Sequence, residues 1–200
     1  VHTLTPFLQS KKISEIIIVV PQKNISIIKK TISSLRNDKN VIVISGGRHR
    51  QDSVYEGLKK VSQSCNIVCI HDGARPFVSI ELIESTIRAC VNFDGVVAAV
   101  KATDTVKLVT RGRRVQKTLD RNKIWLAQTP QTFKKKELNK ALLSAQKKNI
   151  FGTDEAMIME EMGYSVGIIE GSNRNIKITT REDWRHAEAI MSLTSSGQNL

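Results

Sequence analysis

Asn66-Ile-Val-Cys-Ile-His-Asp-Gly-Ala-Arg-Pro76 carries a short apolar run into a small-residue turn. The run is too short for an ordinary helix, and its Ile and Val content predicts a strand buried on both faces. In an open α/β sheet, ligands sit outside the carboxyl ends of such strands. Asp72 at that place can hold a hard cation, and Arg75, three residues on, can hold a phosphate or a hydroxyl. Gly73 and Ala74 leave the backbone clear for a ligand to approach. Taken alone, the same residues also read as a strand–loop junction with a solvated Asp–Arg pair, so the rest of the chain has to decide.

Outward from this strand, the chain alternates strand and helix. Residues 16–20 are a β-rich run closed by Pro21, and 24–36 place Ile27, Ile28, Ile32 and Leu35 at helical spacing. A second apolar strand, 41–44, ends at Ser45-Gly46-Gly47, after which Asp52 or Ser53 can cap a helix with Glu56 as its capping-box partner. Ser79 starts a helix with Ile80, Ile83 and Ile87 on one side, and 95–100 is a further strand. This series predicts an α/β fold with a mostly parallel sheet and helices on both faces.

The series is interrupted at 103–121, where two alternating runs flank Arg111-Gly-Arg113 and read as a β-hairpin. A projecting two-stranded ribbon is marginal alone, so a second subunit is expected to pack on it. Beyond it come a short strand at 125–128, a basic helix near 134–147, and a helix capped by Thr153 with Asp154 and Glu155 in its first turn. Strands at 166–169 and 176–179 follow, then a helix opened by Thr180-Arg-Glu-Asp183, and a frayed tail from Ser195.

Two hundred residues fit one domain with a full core of its own. No apolar run reaches the length of a membrane span, and Val1-His-Thr-Leu4 does not read as a secretory leader. Cys65, Cys69 and Cys90 are odd in number and lack paired spacing, which predicts reduced thiols in the cytoplasm rather than a disulfide or a zinc site. The net charge is +12, and residues 111–148 hold most of the surplus, with Asp120 and Glu137 as the only acids in that stretch. Such a surplus attracts polyanions. With 4% aromatic residues and no nucleic-acid motif, phosphorylated small molecules or solvated charge account for it better than nucleic acid does.

Gly46-Gly-Arg-His-Arg-Gln-Asp-Ser53 leaves a strand and enters a helix, offering backbone N–H groups and the Arg50 cation to an anion or a nucleotide edge. Asp72 and Arg75 end the next strand. Thr105, Arg121, Thr129, Thr153 and Lys177 sit in further loop-end strings that are individually weak. Together they are rich in hydroxyls, Arg and Lys, converge on one carboxylate, and lack a nucleophile triad. That profile fits phosphate chemistry run by charge neutralisation and positioning rather than by a covalent intermediate.

Gly46-Gly-x-x-Arg-Gln-Asp-Ser53, His71-Asp-Gly-Ala-Arg-Pro76, Asp104-Thr-Val-Lys107, Thr118-Leu-Asp-Arg121, Gln128-Thr-Pro-Gln131, Thr153-Asp-Glu-Ala156 and Asn175-Ile-Lys-Ile-Thr179 follow one another in an order and spacing that resembles the 2-C-methyl-D-erythritol 4-phosphate cytidylyltransferase family of the non-mevalonate isoprenoid pathway. The resemblance implies a Rossmann-like nucleotidyltransferase fold and a homodimer joined by the 103–121 arm. It implies transfer of CMP from CTP to methylerythritol phosphate, with Mg²⁺ or another divalent cation as cofactor. Carried over by position, Gly46, Gly47, Arg50, Ser53 and Gly73 would bind the nucleotide. Asp72 would coordinate the cation and contact acceptor hydroxyls beside Arg75, and Lys177 would neutralise the α-phosphate. Thr105 and Arg121 would reach from the partner's arm to the acceptor phosphate, and Thr129 and Thr153 would complete the pocket.

The family also carries an N-terminal strand and glycine-rich loop that wraps the triphosphate, and the stretch from Val1 resembles the segment downstream of it. The resemblance therefore implies either a gap at the sheet centre or another segment filling it, and it leaves a plastid origin open. Two other readings compete. A ribitol-5-phosphate cytidylyltransferase would share the fold, although Thr118-Leu-Asp-Arg121 followed by Trp125 suits the methylerythritol type. A non-catalytic polyanion-binding scaffold would also account for the charge.

Overall fold

The computed structural model of the chain describes residues 1–35 and 38–195. Its elements are α1 (Thr5–Gln9), β1 (Glu15–Val20), α2 (Ile25–Ser33), β2 (Asn40–Ser45), α3 (Arg50–Leu58), β3 (Ile67–Ile70), α4 (Ile80–Ala89), β4 (Gly95–Lys101), β5 (Lys107–Val109), β6 (Val115–Thr118), β7 (Trp125–Lys134), α5 (Lys135–Lys147), α6 (Glu155–Glu161), β8 (Val166–Glu170) and α7 (Arg181–Ser195). Four strands pair in the order β3-β7-β4-β8, and β1 pairs with β2 alone, in parallel. Because β7 is antiparallel to both β3 and β4 while β4 and β8 are parallel, β3, β4 and β8 share one direction and β7 alone in that sheet runs against them. The expected mostly parallel α/β sheet is present.

Burial on both faces follows from sequence in β4, whose Gly-Val-Val-Ala-Ala segment is buried throughout. Val97 packs with Phe133, Leu138, Leu142, Ile158 and Met159 under α5 and α6. Ala98, on the opposite side of the pleat, packs with Val78, Leu82 and Ile83 of the α4 layer, joined by Phe7 of α1. Gly95 is fixed by contact, because a Cβ there would lie 2.5 Å from Cδ1 of the buried Phe133 ring.

Several sequence expectations need correction. The short strand at 125–128 is in fact the long central β7, which passes through a cis Thr129–Pro130 bond. Proline is tolerated in a central strand because it falls where the ladder is broken: β3 pairs only from Gln131 onward, and the β4 register shifts between Val97 and Ala99. Residues 176–179 form no strand; the segment is extended, and Ile178 N–H donates to the Ala74 carbonyl. On α2 the half-buried stripe is Ile25, Ile28, Ile32 and Leu35, while Ile27 faces solvent. The earlier helix limit at Arg36 and the tail beyond Ser195 lie outside the described residues.

Caps also move. His49 precedes α3, and Asp52 accepts its N–H at 3.0 Å, one turn earlier than expected, while Glu56 pairs with Lys59. Asp154, not Thr153, caps α6 by accepting from Met157 N–H at 2.9 Å. The α7 start does carry a reciprocal cap between Thr180 and Asp183.

β5 and β6 form the expected hairpin, pairing with each other only, and Leu108, Val109 and Val115 on it are exposed. Among the described residues, β1 and β3 each keep one unpaired edge. Both strands line a single cavity of about 580 Å³, together with Val54, Gly57 and Leu58 of α3. Its walls are Ile16, Ile17, Ile18 and Val19 on one side and Ile67, Val68, Cys69 and Ile70 on the other. The sheet is thus open between β1 and β3. No described helix is long and apolar enough to cross a membrane.

Candidate active site

Where β3 ends, the His71–Arg75 turn is held from every side. Arg75 N–H closes it onto the Asp72 carbonyl at 3.0 Å, and Thr3 Oγ1 donates to the Gly73 carbonyl at 2.9 Å. His71 packs its ring on Phe7 at 5.1 Å between centroids. Burial pushes the His71 pKa down to about 4, so the ring is neutral near pH 7. Its Nε2 lies 3.0 Å from the Arg75 carbonyl, an acceptor only, so Nε2 carries the proton and Nδ1 is bare. Thr129 Oγ1, 3.0 Å from Nδ1, must then donate to it, and the same oxygen accepts from Asp72 N–H at 3.0 Å. Thr129 was expected in the substrate pocket. It is instead 3% exposed and acts from beneath, fixing the backbone of Asp72.

Three cations converge on the Asp72 carboxylate: Lys177 Nζ at 3.0 Å from Oδ2, Arg75 Nε at 3.6 Å from Oδ2, and Arg50 Nε at 3.5 Å from Oδ1. Burial alone would raise its pKa, but Lys177, then Arg50 and Arg75, outweigh burial and hold it below the ordinary value. Asp72 is therefore ionised near neutral pH.

Lys177 arrives on the irregular 171–178 segment, which turns where Asn175 N–H donates to the Ser172 carbonyl and which side chains fasten in place of a strand ladder. Asn175 Nδ2 donates to Gln128 Oε1 at 3.2 Å and to the Thr129 carbonyl at 2.8 Å. Gln128 Nε2 donates to the Ser172 carbonyl, and Arg75 Nη1 donates to the Asn175 carbonyl at 2.7 Å. The Gln-Thr-Pro-Gln and Asn-Ile-Lys strings are thus one scaffold that aims Lys177 at Asp72.

Arg50 opens α3, and its Nη1 donates to both oxygens of Glu155 at 2.7 and 2.8 Å. Burial works against the Arg50 charge, but Glu155 and Asp72 more than offset it and raise its pKa. Glu155 was missed as a site residue. Burial lifts its own pKa, with Arg50 opposing, and the two short bonds argue that it stays ionised. A signal for it existed: Glu155 shares the core-facing stripe of α6 with Ile158 and Met159, and a carboxylate on an apolar stripe demands a cation.

Gly46 and Gly47 do not offer the free amides expected of them. Gly46 N–H donates to the Val20 carbonyl at 2.9 Å, and Gly47 N–H donates to Ser53 Oγ at 3.1 Å. Ser53 Oγ in turn donates to the His49 carbonyl. The structure brings Asp72, Arg75, Lys177 and Arg50 together, and Ser53 and Gly73 line the same cavity. It leaves Thr105 and Arg121 exposed on the arm, with Arg121 Nη1 donating to the Thr103 carbonyl at 2.7 Å. Thr153 is exposed beside the α6 start.

A divalent cation fits this donor set in one way. Among the described residues no cluster of three or more His, Cys, Asp or Glu side chains could hold a metal. Asp72 alone would supply a carboxylate, already ringed by cations. That suits a Mg²⁺ carried in largely by substrate phosphates and water.

The motif order, the sheet and this cluster can be set against known proteins. A family model described as IspD, 2-C-methyl-D-erythritol 4-phosphate cytidylyltransferase, matches residues 1–193. The chain belongs to this family. The cytidylyltransferase of that name from Clostridioides difficile is 42% identical over 192 residues, spanning 96% of this chain and 81% of the relative. That from Bacillus velezensis is 37% identical, spanning 100% of this chain and 86% of the relative. The crystal structure of 4-diphosphocytidyl-2C-methyl-D-erythritol synthase from Anaerococcus prevotii superposes with a TM-score of 0.90 at 34% identity, covering 96% of this chain and 84% of that one. These relatives carry the methylerythritol name, which favours that acceptor over ribitol 5-phosphate, and an enzyme over a scaffold.

Proposed function

We propose that the protein transfers CMP from CTP to 2-C-methyl-D-erythritol 4-phosphate, releasing pyrophosphate, in isoprenoid precursor synthesis. The observation that carries this reading is an ionised carboxylate, Asp72, ringed by Lys177, Arg75 and Arg50 at a strand's carboxyl end in a chain of this family. An acceptor phosphate oxygen attacks the α-phosphorus, and pyrophosphate leaves. Lys177, 43% exposed, is free to swing from Asp72 to a phosphate and neutralise charge building there. Asp72, so released, accepts from acceptor hydroxyls, and Arg75 steadies the same substrate. Bound Mg²⁺ would neutralise phosphate charge and orient the oxygens.

At the Gly46-Gly47 turn the amides are engaged and the Gly46 carbonyl accepts from Ser45 Oγ at 3.2 Å, so what remains is spare carbonyl lone pairs. An exocyclic amino group such as that of cytosine is the matching donor. Reduced thiols fit a cytoplasmic setting: Cys65, Cys69 and Cys90 form no disulfide, and burial raises the pKa of Cys69 and Cys90 to about 11. Pyrophosphate release should need both CTP and methylerythritol phosphate, depend on a divalent cation, and favour CTP over other nucleotides. Equal turnover with ribitol 5-phosphate would overturn the acceptor, and salt-sensitive nucleic-acid binding without CTP binding would favour a scaffold.

The arm supports a homodimer, because its Leu108, Val109 and Val115 are exposed among the described residues. In such a dimer Thr105 and Arg121 serve the partner's site at the acceptor phosphate, and Thr153 closes the rim. Mixing Arg121→Ala with Asp72→Asn subunits should then restore one working site per heterodimer. No recovery after verified subunit exchange would place Arg121 in its own subunit's site.

A further inference from the structure

The Glu155 side chain is 1% exposed, and none of the chemistry above uses it. Both of its oxygens are taken by Nη1 of Arg50, while Nε of the same guanidinium faces Oδ1 of Asp72 at 3.5 Å. The helix that delivers it is itself pinned: Asp154 caps α6 and accepts from Gln131 Nε2 at 2.8 Å. A buried ion pair is a poor way to gain stability, since apolar residues of similar volume often serve packing as well or better. What this pair supplies is direction. A guanidinium held by a two-oxygen grip at one end cannot turn its other end freely.

We propose that Glu155 is a positioning residue for the transfer: its grip on Arg50 sets the guanidinium against Asp72, so that the carboxylate meets the substrates in one orientation. The proposal rests on the cytidylyltransferase reading. Without the Glu155 charge, Arg50 is free to fold onto Asp72 and compete with the substrates for its oxygens. The pair forms before any ligand enters, so its loss reduces the rate more than it reduces nucleotide capture.

Glu155→Gln keeps the shape, loses the charge and leaves a single acceptor oxygen. In the natural protein it should lower kcat by roughly tenfold to 10²-fold, the scale of a small misplacement at a reacting centre, with little change in KM for CTP. Glu155→Asp should recover part of the rate. Arg50→Lys, which lacks the fork, should lose rate on its own, and the double variant should be no worse than the worse single, because the two act as one unit. A second readout does not use turnover. By ¹⁵N NMR at low temperature, the Arg50 Nη1 protons should be protected from water exchange in the wild type, where they face Glu155, and should exchange faster in Glu155→Gln. A protein that turns over no CTP would sink the activity but leave the NMR result to stand or fall alone. Wild-type kcat in Glu155→Gln, additive losses in the double variant, or unchanged Nη1 proton exchange would each overturn the proposal. Should Glu155→Gln not fold, Glu155→Asp tests the same point, since withdrawing the carboxylate by one methylene must speed Nη1 proton exchange and lower kcat.

Discussion

Asp72→Asn is expected to abolish turnover while leaving the protein folded. Asp72 is the carboxylate on which Lys177, Arg75 and Arg50 converge, and it is held ionised below its ordinary pKa. Asparagine keeps the shape and keeps the backbone N–H bond to Thr129, so the turn persists. The charge that orders the cations and accepts from acceptor hydroxyls is lost. Arg50 and Lys177 are 38% and 43% exposed, so water screens their repulsion once the carboxylate is gone. Lys177→Ala is the companion variant. It removes the cation that would meet charge at the α-phosphate, and the cost should be on the order of 10²–10³ in rate, the range for one lost donor to a developing negative charge. Steady-state rates beside melting curves check both. A folded Asp72→Asn or Lys177→Ala protein with near-wild-type rate would remove that residue from the chemistry.

How much of this could be read from sequence depends on what holds each element. β1, β2, β3, β4 and β8 are short apolar runs and appear where expected, although of these five only β4 is buried along most of its length. β7 escaped because its Gln-Thr-Pro-Gln stretch is polar and carries a proline, although all four residues are buried. Gln128, Thr129 and Gln131 side chains bond Asn175, His71 and Asp154 across the fold, and such pairing leaves no local pattern. The reverse error at 176–179 has the same root. Alternating β-branched residues look like a strand, but the segment is fixed by Asn175, Arg75 and a single backbone bond to Ala74. Asp72 and Arg75 were legible because a strand end is where ligands bind, and Lys177 through the Asn175-Ile-Lys motif that carries it. Glu155 left only the mark of a carboxylate on an apolar stripe, and nothing local named its partner Arg50, 105 residues away in sequence.

A protein carrying one further strand and glycine-rich loop ahead of Val1 is expected to turn over CTP, whereas the chain from Val1 should work only near background. β1 and β3 both border one largely apolar cavity, and each presents unpaired backbone groups along one edge. Buried N–H and C=O groups without partners are costly, and a strand between two others satisfies both edges at once. The cavity also extends to Asp72, Arg50, Ser53 and Lys177, so a loop leaving such a strand would emerge beside the cluster. The family resemblance implies that this loop brings backbone amides and two cations to the triphosphate. At about 10²–10³ per donor, their absence accounts for activity near background. Comparing the two lengths in one pyrophosphate-release assay tests the rate. Hydrogen exchange tests the cause, because amides on the facing edges of β1 and β3 should become protected in the longer protein only. Equal CTP turnover by both lengths would place the triphosphate elsewhere, and equal exchange at those amides would mean that the cavity takes no strand.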